Sequence, residues 1–216
     1  MIKAFIFDMD GILLDSEILK AESWKNTLLE YGFYGGNDFY MRYIGNTRRF
    51  IAERAVQEYN FLGDSNEIME KNKEYYQELL KLEVKPIDSS IEFLRSLSRF
   101  KRGLASSETT KNIINSINTL GIYNLFDVIT SGSEEAKHDK PHPEIYTMTA
   151  QKLGFHPENC FAIEDTMSGV ISTKSAGMYC IGFRNPNSGN QDLSKADIVT
   201  DDLRKLQIIK LEELVQ

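Results

Sequence analysis

The sequence predicts an α/β fold, a doubly wound parallel sheet carrying an inserted all-helical domain, and three observations lead to it. Short apolar runs, which suit strands covered on both faces, alternate with amphipathic stretches that suit helices. Glycines end three of these stretches, at Gly121, Gly154 and Gly177, where a left-handed helix cap would precede the next strand. One long block contains no strand-like run and interrupts the alternation.

Six apolar runs are the predicted strands. Because strands and helices alternate through short connections, consecutive strands should lie parallel to one another in one sheet. The runs comprise residues 3–7, 102–106, 127–131, 160–164, 179–183 and 197–200.

The interrupting block, residues 16–82, predicts helices only. It enters directly after Asp15, so residues 1–15 and 83–216 should form the α/β core domain and 16–82 the inserted helical domain. Two apolar stripes at helical spacing support this prediction: Ala21, Trp24, Leu28 and Tyr31 in one, and Ile68, Tyr75 and Leu79 in the other.

Composition and charge restrict the class of protein. The 216 residues carry 32 acidic and 25 basic side chains, a net charge of −7, which argues against binding the phosphate backbone of nucleic acids. No apolar stretch approaches the length of a membrane span, and no targeting segment stands at the N-terminus. Cys160 and Cys180 lie in apolar runs and should be buried thiols. We expect a cytoplasmic monomer that binds a small molecule.

Carboxylates follow two of the predicted strands. Asp8 and Asp10 come after the first strand, and Glu164 and Asp165 end the fourth. Ligands of open parallel sheets bind at the carboxyl ends of the strands, so these groups should converge. Like charges raise one another's pKa unless a cation offsets them, and all-oxygen ligands favour a hard cation. The sequence therefore predicts a Mg²⁺ site.

Phosphate-binding groups are expected at the same edge. Ser106 and Ser107 end the second strand just ahead of a helix predicted to start near Glu108, and Lys140 lies in the loop after the third strand. Hydroxyl and ammonium groups near a helix N-terminus suit a phosphoryl group. A combined metal and phosphate site is the physical interpretation.

Four segments in register resemble the motifs of the haloacid dehalogenase superfamily. They are FIFDMDGILLDS after the first strand, Ser106 in GLASS, Lys140 in KPHPEIY, and Glu164-Asp165 in AIEDTMSGV. The block over 16–82 resembles the helical cap that this superfamily inserts after its first motif. The combination is similar to the subgroup of β-phosphoglucomutase and sugar-phosphate phosphatases, with a Rossmann-like core.

The resemblance implies phosphoryl transfer. Asp8 would attack phosphorus and form an aspartyl-phosphate, and Asp10 would serve in turn as general acid and general base. The dehalogenases of the superfamily lack this second aspartate, so its presence disfavours carbon–halogen cleavage.

The resemblance also implies the ligands of the metal and of the phosphoryl group. Mg²⁺ would be held by the Asp8 carboxylate, the Asp10 backbone carbonyl, Asp165 and Glu164. Ser106 and Lys140 would hold the phosphoryl oxygens. Gly11 would allow close backbone approach to the substrate.

Candidate substrate contacts in the helical block come from the same resemblance: Arg48, Lys71 and Asn72 match substrate-binding positions of β-phosphoglucomutase. Lys20 stands where the mutase has a histidine that controls its general acid. This departure favours a phosphatase over a phosphomutase. A non-catalytic module that binds phosphorylated ligands or a protein partner is a third reading, although such a module would be expected to lose Asp8 or Asp10.

His138 and His142 flank Lys140, which raises the alternative of a transition-metal site. Their spacing on a loop that contains prolines gives no fixed geometry, so a polar loop is the preferred interpretation.

Overall fold

A computed structural model describes residues 1–61, 63–82 and 84–213 and contains one six-stranded sheet. The strand order is β3-β2-β1-β4-β5-β6 and every neighbouring pair is parallel. The predicted doubly wound α/β fold is confirmed, and the strand ends lie within one residue of the predicted runs. The strands are β1 Ala4–Phe7, β2 Lys101–Ser106, β3 Val128–Ser131, β4 Cys160–Glu164, β5 Tyr179–Phe183 and β6 Ile198–Thr200.

Helices fill the connections between strands and the inserted block. In the described part of the chain, no helix is both long enough and apolar enough to cross a membrane. The helices of the inserted block are α1 Glu17–Glu30, α2 Gly36–Met41, α3 Arg48–Tyr59 and α4 Ser65–Leu82. The others are α5 Asp88–Ser96, α6 Thr110–Thr119, α7 Gly132–Glu135, α8 Glu144–Leu153, α9 Met167–Ser175 and α10 Ile208–Glu213.

The central strands are apolar on both faces because helices cover both sides of the sheet. All residues of β1 and β4 are buried. Phe5 of β1 packs against Phe161 of the neighbouring strand and, edge to face, against Phe93 and Phe100, with ring centroids 5.1–5.8 Å apart. Cys160 and Cys180 are buried and free, as predicted.

The glycines that were predicted to end helices have the required backbone. Gly121, Gly154 and Gly177 have φ values of 65°, 81° and 82°. This left-handed region strains residues that carry a Cβ, which is why glycine is used where α6, α8 and α9 end.

The chain divides into two compact units. One comprises Met1–Asp15 and the chain from Lys85 onward, and the other comprises Ser16–Val84. The two passages of chain at the boundary pair with each other inside the first unit: the Asp15 amide donates to the Lys85 carbonyl at 2.9 Å, and the Ile87 amide to the Leu13 carbonyl at 3.0 Å. That the second unit acts as a cap stays a prediction.

The helical unit has its own core, which differs from the predicted pattern at α4. Trp24 and Leu28 of α1 are buried as predicted. On α4, however, the buried positions after Ile68 are Asn72 and Tyr76. Tyr75 is instead partly exposed and donates its hydroxyl to Glu30 at 2.8 Å.

The buried face of α4 differs from the prediction because it includes a polar residue, Asn72. Its amide group donates to the hydroxyls of Ser23 and Thr27, at 3.0 and 3.3 Å. A buried polar side chain is tolerated when its hydrogen bonds are made. Hydrophobic periodicity counts only apolar residues and so cannot identify a buried asparagine. The predicted stripe on α4 therefore contains Tyr75 and Leu79 in place of Asn72 and Tyr76.

The burial of a side chain in the sheet predicts how much stability is lost when that side chain is truncated. Ile181 in β5 is fully buried, whereas Val199 in the adjacent β6 is 39% exposed. Ile181→Ala should lower the free energy of unfolding by about 2–5 kcal/mol because it leaves a cavity. Val199→Ala, the matched control, should lower it by less than about 1 kcal/mol. Urea denaturation followed by circular dichroism measures both, and equal losses would contradict the assigned burial.

Candidate active site

The predicted metal ligands Asp8 and Glu164 lie at the point where the order of the strands reverses. The chain runs from β1 to β2 on one side, whereas β4 lies on the other side of β1. Phe7 of β1 pairs with Ile163 of β4, so Asp8 and Glu164 follow at the carboxyl ends of adjacent strands. Such a switch point is where parallel α/β sheets bind ligands.

Lys140 joins the two carboxylates. Its Nζ donates to Asp8 Oδ1 and to Glu164 Oε1, both at 2.6 Å. Burial opposes the ammonium charge, but the charges of Asp8 and Glu164 outweigh it and raise the pKa of Lys140 above its usual value. Lys140 therefore remains a cation and supplies one of the counter-charges that the carboxylates need.

Asp8 is the group whose ionisation is most perturbed. Burial raises its pKa to about 7, the attraction of Lys140 opposes the rise, and the charges of Glu164 and Asp10 add to it. The ionisation of Asp8 therefore responds to pH well above the range of an ordinary aspartate. Further positive charge beside it, from a cation, would favour the carboxylate form that a nucleophile requires.

Glu164 is held by groups from three segments. The hydroxyl of Tyr146 in α8 donates to its Oε1 at 2.5 Å. Its Oε2 accepts from the Asp165 amide at 3.1 Å and from the Thr166 hydroxyl at 3.2 Å. A Cβ on Gly169 would collide with the carboxylate, so α9 approaches it through a glycine. Glu164 is consequently a fixed acceptor.

The pKa of Tyr146 is raised by burial and by the nearby charge of Glu164. Its hydroxyl therefore stays neutral and remains a hydrogen-bond donor at physiological pH.

Asp165 is positioned by a loop that follows β5. The Ser188 hydroxyl donates to Asp165 Oδ2, and the side-chain amide of Asn185 donates to the Gly11 carbonyl at 3.0 Å. Gly11 has a φ of 75°, and a Cβ there would collide with the Asp165 carboxylate. A glycine is therefore required at position 11 to leave room for the Asp165 carboxylate. This is a structural requirement in addition to the predicted role of Gly11 in substrate approach.

Three residues that support the carboxylates, Tyr146, Asn185 and Ser188, were not predicted as site residues from the sequence. Asn185 and Ser188 could have been predicted from their position, because residues 185–188 follow the fifth strand at the same sheet edge as Asp8 and Asp165. Tyr146 carries no comparable signal, since it lies within an ordinary amphipathic helix.

The carboxylates fit a hard divalent cation. Asp8, Glu164 and Asp165 are buried, and each offers one oxygen so that the three lie within 4.8 Å of one another. Oxygen donors of this kind suit Mg²⁺. The Asp10 side chain does not belong to this set, and its predicted contribution through the backbone carbonyl stays a prediction.

Ser106 and Ser107 differ in their surroundings. Ser106 ends β2 beside β1 and is fully buried, and its hydroxyl accepts from the Glu108 amide at 3.2 Å. Ser107 is exposed. The following helix begins at Thr110, two residues after Glu108, and Thr109 caps it by accepting from the Asn112 amide at 3.3 Å. Their predicted contacts with a phosphoryl group stay predictions.

The predicted substrate residues Arg48 and Asn72 are neighbours in the helical unit. Arg48 Nε donates to Asn72 Oδ1 at 3.0 Å, and its guanidinium lies 5.4 Å from the ring centre of Tyr76. Since the amide of Asn72 is also hydrogen-bonded, this buried side chain orients Arg48. Direct contact of Asn72 with a substrate remains a prediction.

The two predicted lysines of the helical unit both form ion pairs. Lys20 contacts Glu17 at 2.7 Å, and Glu17 also accepts the Tyr40 hydroxyl at 2.6 Å. Lys71 contacts Glu30 and Glu74, each at 3.3 Å. Lys20 therefore pairs with a buried carboxylate, whereas both carboxylate partners of Lys71 are exposed.

Comparisons with known proteins agree with this geometry. The model of the family described as haloacid dehalogenase-like hydrolase matches residues 5–183. The chain belongs to this family. Among curated relatives of this hydrolase, a phosphorylated carbohydrates phosphatase from Thermotoga maritima is 32% identical over 180 residues, which cover 82% of each chain.

Two β-phosphoglucomutases are similar over nearly the whole chain. The Bacillus subtilis β-phosphoglucomutase is 29% identical and covers 98% of this chain and 94% of its own. The crystal structure of β-phosphoglucomutase from Clostridium difficile superposes with a TM-score of 0.83 at 29% identity, covering 100% of this hydrolase and 97% of the mutase.

The hydrogen bond between Tyr146 and Glu164 leads to a stability prediction. Tyr146→Phe should lower the free energy of unfolding by about 1–3 kcal/mol, because a buried carboxylate loses a donor. Tyr123→Phe is the matched control, since Tyr123 is 43% exposed, and it should change stability by less than about 0.5 kcal/mol. Urea denaturation compares the two variants, and indistinguishable midpoints would show that the Tyr146 hydroxyl contributes nothing.

Proposed function

We propose that this chain is a Mg²⁺-dependent phosphatase that hydrolyses a small phosphorylated metabolite, a sugar or polyol phosphate, through an aspartyl-phosphate at Asp8. The observation that carries the proposal is the buried cluster of Asp8, Glu164 and Asp165 at the switch point of the sheet, in which Lys140 joins Asp8 to Glu164. The relatives named as a phosphorylated carbohydrates phosphatase and as β-phosphoglucomutase support the substrate class.

The residues divide the work of two half-reactions. In the first, an Asp8 oxygen forms a bond to phosphorus, the bond from phosphorus to the leaving oxygen breaks, and Asp10 protonates that oxygen. In the second, Asp10 takes a proton from water, whose oxygen attacks phosphorus and releases the Asp8 carboxylate. Lys140, which is hydrogen-bonded to Asp8, would bind the phosphoryl oxygens on which negative charge accumulates.

Asp8, Asp165 and Glu164 would hold Mg²⁺ together with the Asp10 backbone carbonyl. When bound, the cation supplies positive charge that offsets the carboxylates and the phosphoryl group.

A phosphatase is preferred to a phosphomutase because of Lys20. By resemblance, this position carries a histidine in the mutase that controls when the general acid engages. Lys20 pairs with Glu17 at 2.7 Å and cannot replace an imidazole as a hydrogen-bond acceptor, since an ammonium only donates. The alternative acceptor, a sugar hydroxyl, is therefore less well supported than water.

Release of phosphate tests the proposal. The purified protein with Mg²⁺ should liberate phosphate from members of a panel of sugar and polyol phosphates. Asp8→Asn should lower the rate by more than about 1000-fold because the nucleophile is lost. Asp201→Asn, at a 67% exposed side chain, is the matched control and should retain full activity.

A parallel arm separates the competing functions. β-Glucose 1-phosphate with a trace of the bisphosphate is assayed for glucose 6-phosphate. Isomerisation without phosphate release would make the chain a phosphomutase. If neither product forms across the panel while phosphorylated ligands still bind, the non-catalytic module would replace the phosphatase.

The raised pKa of Asp8 predicts how Mg²⁺ binding depends on pH. Below its pKa the proton on Asp8 competes with the cation, and above it the carboxylate is already ionised. With a pKa of about 7, the affinity for Mg²⁺ should fall about tenfold from pH 8 to pH 6. Calorimetry in buffers of different ionisation enthalpy should also detect close to one released proton at pH 6 and almost none at pH 8.

Asp201→Asn should reproduce this pH dependence, since Asp201 lies on the surface. Equal affinities at pH 6 and pH 8, with no proton released, would show that Asp8 is not a ligand of the cation.

A further inference from the structure

The loop that carries Lys140 brings two histidines and a glutamate together. His138 and His142 stand two residues to either side of Lys140, and their rings lie 4.4 Å apart at the centroids with an angle of 32° between them. Glu144 is the first residue of α8. Sequence spacing gives no geometry for these side chains, whereas the structure defines one.

The Glu144 carboxylate closes this loop. Its Oε2 accepts from the backbone amides of Lys137 and His138, at 3.1 and 3.0 Å. The same oxygen lies 3.0 Å from Nδ1 of His138 and 3.9 Å from Nδ1 of His142. One carboxylate oxygen therefore faces a ring nitrogen from each side of the loop.

The backbone beneath the histidines is also fixed. The Ser172 hydroxyl in α9 donates to the His142 carbonyl at 2.7 Å, and the His142 amide donates to the Asp139 carbonyl at 3.0 Å. Glu144 is fixed by the first turn of α8. The Glu144 amide donates to His142 Nδ1 at 3.3 Å. A bound cation would thus require rotation of two exposed rings and release of this one hydrogen bond, with little ordering of the chain.

The donor atoms suit a transition metal. One ligand atom from each of His138, His142 and Glu144 lies within 4.8 Å of the others. Zinc binds imidazole nitrogen and carboxylate oxygen at about 2.0–2.2 Å, so a small rotation of the rings would bring all three into coordination distance. Imidazole favours Zn²⁺, Cu²⁺ or Ni²⁺ over Mg²⁺, which distinguishes this cluster from the carboxylates around Asp8.

We propose that His138, His142 and Glu144 form a second metal site, which takes a transition-metal cation such as Zn²⁺ and is separate from the Mg²⁺ site. The two ring Nδ1 atoms and the Glu144 carboxylate are the protein ligands, and water completes the coordination. Because Lys140 lies midway between the histidines, the bound ion restrains the segment that positions Lys140. The proposal does not depend on phosphatase activity.

Imidazole resonances of the whole protein test the site directly. The chain has three histidines, so His156 serves as an internal control. In excess Mg²⁺, which keeps the carboxylate site filled, Zn²⁺ should shift the ring ¹⁵N signals of His138 and His142 and leave those of His156 unchanged. The two cysteines are buried and do not compete for the metal.

Matched variants then quantify the site. His138→Ala, His142→Ala and Glu144→Gln should each weaken Zn²⁺ binding by about tenfold or more in calorimetry, because second-shell changes alone cost about 10–100-fold in metal sites. His156→Ala should bind as the parent does. Circular dichroism confirms that each variant is folded.

Three results would overturn the proposal. They are rings of His138 and His142 that do not respond to Zn²⁺, a response shared equally by His156, and an affinity that survives loss of both histidines. In the last case Zn²⁺ binds at the carboxylate cluster. None of these results bears on hydrolysis by Asp8.

Discussion

Three carboxylates and one ammonium group share the buried junction between β1 and β4, and the geometry of the active site depends on their balance. Asp8, Glu164 and Asp165 could not remain together in a dry environment as bare anions. Lys140 offsets one charge and bonds to two of the three. Removing one partner of such a buried pair typically costs about 3–5 kcal/mol. The loop after β3 is therefore tied to the centre of the sheet electrostatically as well as by packing.

Glu164 is the member that the fold supports most heavily. Its first oxygen receives Lys140 and the Tyr146 hydroxyl, and its second receives Thr166 and a backbone amide. Such a saturated carboxylate cannot move far without breaking several bonds at once. Asp8 has fewer donors and a pKa near 7, so it is the more responsive group. This asymmetry suits a fixed hydrogen-bond acceptor beside the proposed nucleophile.

The convergence of the carboxylates could be predicted from the sequence because they lie at the ends of strands. Asp8 and Glu164 follow apolar runs, and the parallel topology alone brings them to one edge. The supporting groups were not predictable in the same way. Tyr146 lies inside a helix and Ser188 in a loop, where tertiary packing alone selects them. In the helical unit the apolar stripe failed at Asn72, since periodicity cannot distinguish a satisfied buried amide from a solvated one.

The carboxylate cluster and most of the predicted substrate contacts belong to different units of the chain. The groups that join the carboxylate cluster all belong to the unit built on the sheet, and the pairing of Leu13 and Asp15 with the returning chain at Lys85 and Ile87 closes that unit on itself. Four of the predicted substrate contacts, Lys20, Arg48, Lys71 and Asn72, belong to the helical unit, where Asn72 donates to Ser23 and Tyr40 donates to Glu17. The proposed preference for a phosphatase over a mutase rests on this unit, because Lys20 stands where the resemblance places a histidine of the mutase.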